Sequence, residues 1–208
     1  MKKRRIFRNL NDKEFAWVLY DVGNSAYTML ACALIPIWFK AMAIGTKPGQ
    51  LTSDRATAYY SMAIAVITIV VALLGPVCGA ISDYKGMKKI FFTSTVAVGV
   101  CGCILNGFAC QWIVFLLLFA ATKIFYNMSL MFYDSMLNDI TTEERMDEVS
   151  SYGYAWGYLG SCIPFLIALV AYVLGPDMAG IISGKLSMAI GFAVTGLWWL
   201  LVTVPLIK

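Results

Sequence analysis

The residues able to do chemistry in this chain are few, and most lie inside long apolar runs. Asp21, Asn24, Thr28 and Cys32 recur at offsets of 3, 7 and 11, which places them on one face of a helix at 3.6 residues per turn. In LFAATKIFYNMSLMFYDSML, Lys123, Asn127 and Asp134 share a face in the same way, at offsets of 4 and 11. A charge held in hydrocarbon costs roughly 2.5–3.5 kcal/mol on insertion scales, so these side chains face a cavity or a partner. Asp21 can carry a proton or hold an ammonium, with Asn24 hydrogen-bonding beside it. Lys123 can hold a carboxylate or respond to a nearby carboxylic acid, and Asn127 can line the same cavity. Structural roles compete with each of these. Asp21 and Asn24 can join neighbouring helices by hydrogen bonds worth about 0.6–2 kcal/mol each, and Lys123 can be paired within a bundle or snorkel to an interface. Asp134 lies about 16 Å along the axis from Lys123 and needs a different partner.

Other chemistries lack their parts. The chain has no histidine, and its six cysteines form no ligand cluster; Cys101 and Cys103 would point apart on a helix. All six read as small apolar fillers without disulfides. No phosphate loop, nucleophile with its base, metal site, cofactor motif or nucleic-acid surface is visible, so the sequence does not read as an enzyme.

The elements that must position the polar residues follow from composition. Of 208 residues, 60% are hydrophobic and only 13% charged, against roughly a quarter charged in a soluble domain. Mean hydropathy is +0.75. A bilayer core of about 30 Å needs about 20 apolar residues per helix. Six such runs are expected near 15–41, 56–82, 90–107, 112–137, 152–174 and 186–207. They lack the alternation of barrel strands, so the predicted fold is an all-α membrane bundle. Residues 1–14 form a basic lead-in, with IFRNL suited to lie in the interface. Eleven Lys and Arg fall on one side (Lys2, Lys3, Arg4, Arg5, Arg8, Lys13, Lys85, Lys88, Lys89, Arg145, Lys208) and four on the other (Lys40, Lys47, Arg55, Lys185). The excess predicts both termini in the cytoplasm.

The turn between the second and third runs reads GAISDYKGMKK, with Gly79, Asp83 and Gly86 ahead of the pair Lys88 and Lys89. Gly79 would allow close helix approach, Gly86 a tight turn, and Asp83 could pair with a cation or cap a helix start. A generic positive-inside turn would account for the lysines but not for the glycine and aspartate spacing. The pattern resembles the signature loop of the major facilitator superfamily, although Tyr84 and Met87 stand where that pattern usually carries basic residues. Three further stretches, WVLYDVGNSAY at 17–27, FYDSMLNDI at 132–140 and VSSYGYAWGYLGS at 149–161, are similar to the branch containing vacuolar amino-acid effluxers and their bacterial relatives. The resemblance implies a secondary transporter in a bacterial plasma membrane, moving a small polar solute such as an amino acid by alternating access, with proton coupling. It also implies that Asp83, Lys88 and Lys89 latch the cytoplasmic side.

Members of that superfamily have twelve spans in two six-span halves, and this chain resembles the N-terminal half. A parallel homodimer would mimic the two halves; a chain lacking its second half is the alternative, as is a membrane assembly protein that transports nothing. Gly153, Gly157, Gly160 and Pro164 share one face of the fifth run and predict close packing against a neighbour; Gly75, Pro76 and Gly79 suggest a similar seam in the second. The acidic connector at 138–150 reads as a solvated linker, with capping positions at Thr141 and Thr142.

Overall fold

The computed structural model describes residues 9–84, 86–176 and 178–208. Most of the basic lead-in, including most of IFRNL, lies outside the described residues, as does Lys85.

Helix α1 (Asp12–Ala33) starts from a reciprocal cap. Asn11 Oδ1 accepts the Lys13 and Glu14 amides at 2.9 and 2.8 Å, and the Glu14 carboxylate accepts the Asn11 amide at 2.7 Å. These bonds satisfy donors that no helical carbonyl can reach. Where the apolar run predicts a single span over 15–41, the structure has two helices: α1 gives way at Leu34 to α2 (Ile35–Ala43), with a bend of 40°. Pro36, in the first turn of α2, has no amide for the Cys32 carbonyl and its ring crowds that carbonyl.

The remaining helices are α3 (Ser53–Ser82), α4 (Met87–Asn106), α5 (Trp112–Ile140), α6 (Met146–Val173) and α7 (Gly184–Ile207), with a short 3-10 turn at Glu143–Arg145. The turn between α3 and α4 depends on Gly86, whose φ of +84° a side chain would strain. Among the described residues five helices are long and apolar enough to cross a membrane, and a sixth is reached if the bent α1–α2 pair counts as one span. Among the described residues the β-type pairing is an isolated bridge between Ile44 and Leu51.

Helix α1 packs on α6 and α7, α4 packs on α5 and α7, and α3 docks chiefly on α5. Without a hydrophobic force between helices in lipid, close approach comes from small residues and interlocking side chains. The α1–α6 seam has both. A Cβ on Gly153 would come 2.8 Å from Trp17, one on Gly157 would come 2.9 Å from Ser25 Oγ, and one on Gly160 would collide with Val22. Pro164 is buried on the same face without ending the helix. Gly99 receives Trp199 between α4 and α7 in the same manner.

The expected glycine seam of α3 is different. Gly79 is exposed and no atom lies within 4 Å of where its Cβ would be; Gly75 makes only ordinary contact with Met131. The expectation that Gly79 serves close helix approach is therefore corrected within this chain, because its face of α3 turns away from α5.

Aromatic rings fix the register of α1 against α5. Trp17 stacks on Tyr133 with centroids 4.3 Å apart and donates its indole N–H to the Tyr133 carbonyl at 3.1 Å. Tyr20 meets Tyr133 at 4.6 Å and its hydroxyl shares a hydrogen bond of 2.8 Å with Ser129. Each ring pair adds about 0.5–1.5 kcal/mol beyond its burial. All six cysteines are free thiols.

Candidate functional site

The α1–α5 register brings the polar face of α1 against Tyr126. Asn24, buried, donates through Nδ2 to Asp21 Oδ1 at 3.1 Å, and its Oδ1 accepts from the Tyr126 hydroxyl at 3.5 Å. Thr28 Oγ1 and the same hydroxyl share a hydrogen bond of 2.5 Å. The result is a chain of polar groups running from Asp21 through Asn24 and Tyr126 to Thr28, in which each member has a reason to be where it is. From the sequence Tyr126 could line the cavity beside Asn127, although an aromatic residue in a span more often packs. In the structure it is both buried and the joint between the two helices.

Asp21 sits in the α1–α6 seam. Its Oδ2 lies 3.0 Å from the position a Gly157 Cβ would take and 3.4 Å from that of Gly153. The glycines thus leave room for a carboxylate where any larger residue would intrude.

Lys123 lies half-buried one turn along α5, with Nζ 4.6 Å from the centroid of the Tyr126 ring and 5.7 Å from that of Tyr27. Ring faces attract a cation by about 0.5–2 kcal/mol, which offsets part of the cost of burying it. Among the described residues no ion pair engages Lys123, Asp21 or Asp134. Asn127 turns back on its own helix and donates to the Lys123 carbonyl at 2.8 Å, which commits one of its two amide N–H groups to α5. Asp134 is exposed.

The loop residues separate into two groups. Lys88 Nζ donates to Asp139 Oδ2 at 2.6 Å and to the Ser135 carbonyl at 3.0 Å, tying α4 to the last turns of α5, where carbonyls and the helix dipole favour a cation. Ser135 Oγ donates onward to Ser82 Oγ at 3.5 Å, bringing in the end of α3. Asp83 and Lys89 are exposed and make no ion pair with a described residue.

The same end of the bundle holds a cluster the sequence reading passed over. Glu14 is 1% exposed. Besides the Asn11 amide, it accepts from Thr141 Oγ1 at 2.8 Å and pairs with Arg145 Nη2 at 3.3 Å. Arg145 also donates to the Asn9 carbonyl at 2.5 Å. The acidic connector, expected to be a solvated linker, is thereby fastened to the start of α1. Asn11 and Glu14 three residues apart are the spacing of a capping box, the one signal that could have pointed there. Among the described residues no group of three or more His, Cys, Asp or Glu side chains could hold a metal ion.

Compared with known proteins, the chain is 35% identical over 206 residues to the uncharacterized MFS-type transporter YxiO of Bacillus subtilis (strain 168). What it resembles is half of a major facilitator transporter. The match covers 98% of this chain and 47% of that protein, so the chain spans about half the length of the curated relative it matches. No family model matches the chain, and no solved structure matches it. The likeness and the apolar helices together support an integral membrane bundle of the major-facilitator half type, and the likeness is to a transporter rather than to an enzyme. It does not reach the amino-acid effluxer branch.

Proposed function

We propose that this chain forms one half of a secondary transporter that carries a small zwitterionic solute, an amino acid, by proton-coupled alternating access across a bacterial plasma membrane, with its N-terminus in the cytoplasm. The observation that carries the reading is Lys123: an ammonium inside the bundle with aromatic neighbours but no carboxylate partner among the described residues, beside the polar chain that begins at Asp21. A solute carboxylate would complete the first, and a solute ammonium or a proton the second. Asp21 and Tyr27 are six residues apart on α1, about 9 Å of rise, so the flexible lysine stem brings the two charges to one solute. Asn24 and Asn127 border the path. Gly86 shapes the turn, Lys88 ties it down, and Gly79, Asp83 and Lys89 face outward for the other half to engage.

The other half comes from a second copy of this chain or from a further six-span segment. Native mass in lipid nanodiscs separates these: a dimer favours the first, a monomer the second. The function is tested by amino-acid flux into proteoliposomes under an imposed pH gradient. Lys123→Ala and Asp21→Asn are expected to lower flux by at least about tenfold, the loss of one charge-assisted contact. Unchanged flux in Lys123→Ala would remove that residue from the pathway. Normal folding and assembly with no flux of any solute would favour a structural role instead.

A further inference from the structure

At the end of the bundle opposite the α3–α4 turn, α2, Ala109 and Cys110 of the α4–α5 connection, Tyr172 and Pro176, and the start of α7 line a cavity of about 280 Å³. Trp38 and Met42 of α2, Tyr172 of α6 and Met188 of α7 supply apolar walls, while Lys185 and Ser187 open into it from the first turn of α7. Ser187 is the informative residue. It is 1% exposed, yet its hydroxyl has no hydrogen-bond partner among the described residues. A buried hydroxyl without a partner costs on the order of the desolvation it has suffered, so a polar group belongs opposite it.

The surroundings say what charge that group carries. Ser183 caps α7, its Oγ accepting the Leu186 amide at 3.3 Å and its carbonyl the Ser187 amide at 2.9 Å. The Gly184 and Lys185 amides, one turn too early for any helical carbonyl, remain as donors at the positive end of the helix dipole. No acidic residue stands in this first turn, and Lys185 adds a further positive charge that makes no ion pair with a described residue. Gly175 lies beside the hydroxyl, the position of a Cβ there being 3.5 Å from Ser187 Oγ. An ammonium, a hydroxyl and free helix-start amides are the donor set of an oxyanion site.

We propose that this cavity binds a phosphate-class oxyanion, held by Lys185, Ser187 and the first amides of α7, with any apolar part of the ligand against Trp38 and Met188. Two sources share that chemistry: the phosphodiester headgroup of an anionic phospholipid at the membrane surface, and a free phosphate. The site lies apart from Asp21 and Lys123 and does not depend on the transport reading.

The test uses the whole chain, stripped of lipid in mild detergent. Phosphatidylglycerol, phosphatidylcholine and inorganic phosphate are titrated separately, with retained lipid read by native mass spectrometry and phosphate binding by calorimetry. Saturable phosphatidylglycerol binding that phosphatidylcholine does not match identifies the lipid source; saturable phosphate binding without lipid identifies the free ion. In either case Lys185→Gln and Ser187→Ala should each weaken binding by about tenfold or more, while Lys47→Gln leaves it unchanged. Both variants alter a group without structural partners and should fold. No saturable binding of any anion, or equal binding by wild type and both variants, overturns the proposal.

Discussion

Replacing Glu14 by alanine should loosen one end of the bundle, and the size of the effect follows from its contacts. The carboxylate is 1% exposed and accepts from the Asn11 amide, the Thr141 hydroxyl and the Arg145 guanidinium at 2.7, 2.8 and 3.3 Å. A hydrogen bond to a charged group contributes about 1.5–3 kcal/mol. Losing half a capping box costs up to about 1 kcal/mol more. Breaking a fully buried ion pair costs about 3–5 kcal/mol, but the Arg145 side chain is 35% exposed and regains water. The released Asn11 amide and Thr141 hydroxyl recover part of theirs in the same way, so the contributions do not simply sum. The expected loss is therefore about 2–4 kcal/mol, between the exposed and fully buried limits. Thermal unfolding in detergent, followed by circular dichroism, should show an apparent Tm lower by about 4–16 °C. A double-mutant cycle with Arg145→Ala should be sub-additive by at least about 0.5 kcal/mol if the two act as one unit. A Glu14→Ala protein with an unchanged Tm, or a strictly additive cycle, would refute this account of the cluster.

Four other substitutions probe the remaining contacts. Gly86→Ala forces a side chain into a left-handed turn and should cost about 1–2 kcal/mol in unfolding measurements, whereas Gly79→Ala meets nothing in this chain and should raise Tm slightly through a helix-propensity gain of up to about 1 kcal/mol; a loss of flux from Gly79→Ala despite that gain would locate the contact in the other half. Gly157→Ala places a methyl group 3.0 Å from Asp21 Oδ2, and overpacking of about 1–3 kcal/mol should exceed the gain in helix propensity of about 1 kcal/mol, lowering Tm and flux together. Lys88→Gln removes a pair whose Asp139 side chain is 60% exposed, so it should cost under about 1 kcal/mol and speed maleimide labelling of buried Cys78, in a background with the other cysteines replaced, by no more than about fivefold.

Some of this was legible in the sequence for simple reasons. Hydrocarbon thickness sets a length for apolar runs, so the helical bundle is visible as composition alone. Helical periodicity does the same for the face of α6 bearing Gly153, Gly157 and Gly160, and for Asp21, Asn24 and Thr28 on α1: which residues share a face depends only on spacing. Gly86 was readable because a φ near +84° selects glycine locally. Pro36 carried a local signal of the α1–α2 break as well, although run length alone joined the two helices.

What spacing cannot convey is which face meets which neighbour, and at what height. Tyr126 bonds to Thr28 across 98 residues of chain, and Glu14 to Thr141 across 127; both depend on the register of α1 against α5, which Trp17, Tyr20 and Tyr133 set by packing in three dimensions. The same holds for absences. Gly79 and Gly157 are both glycines on apolar helices, but one faces open space and the other a carboxylate. The unpartnered Ser187 hydroxyl became visible only once α2, α6 and α7 closed around it. Local chemistry determines what each segment of this protein is; only the tertiary packing decides what each polar side chain has, or lacks, as a partner.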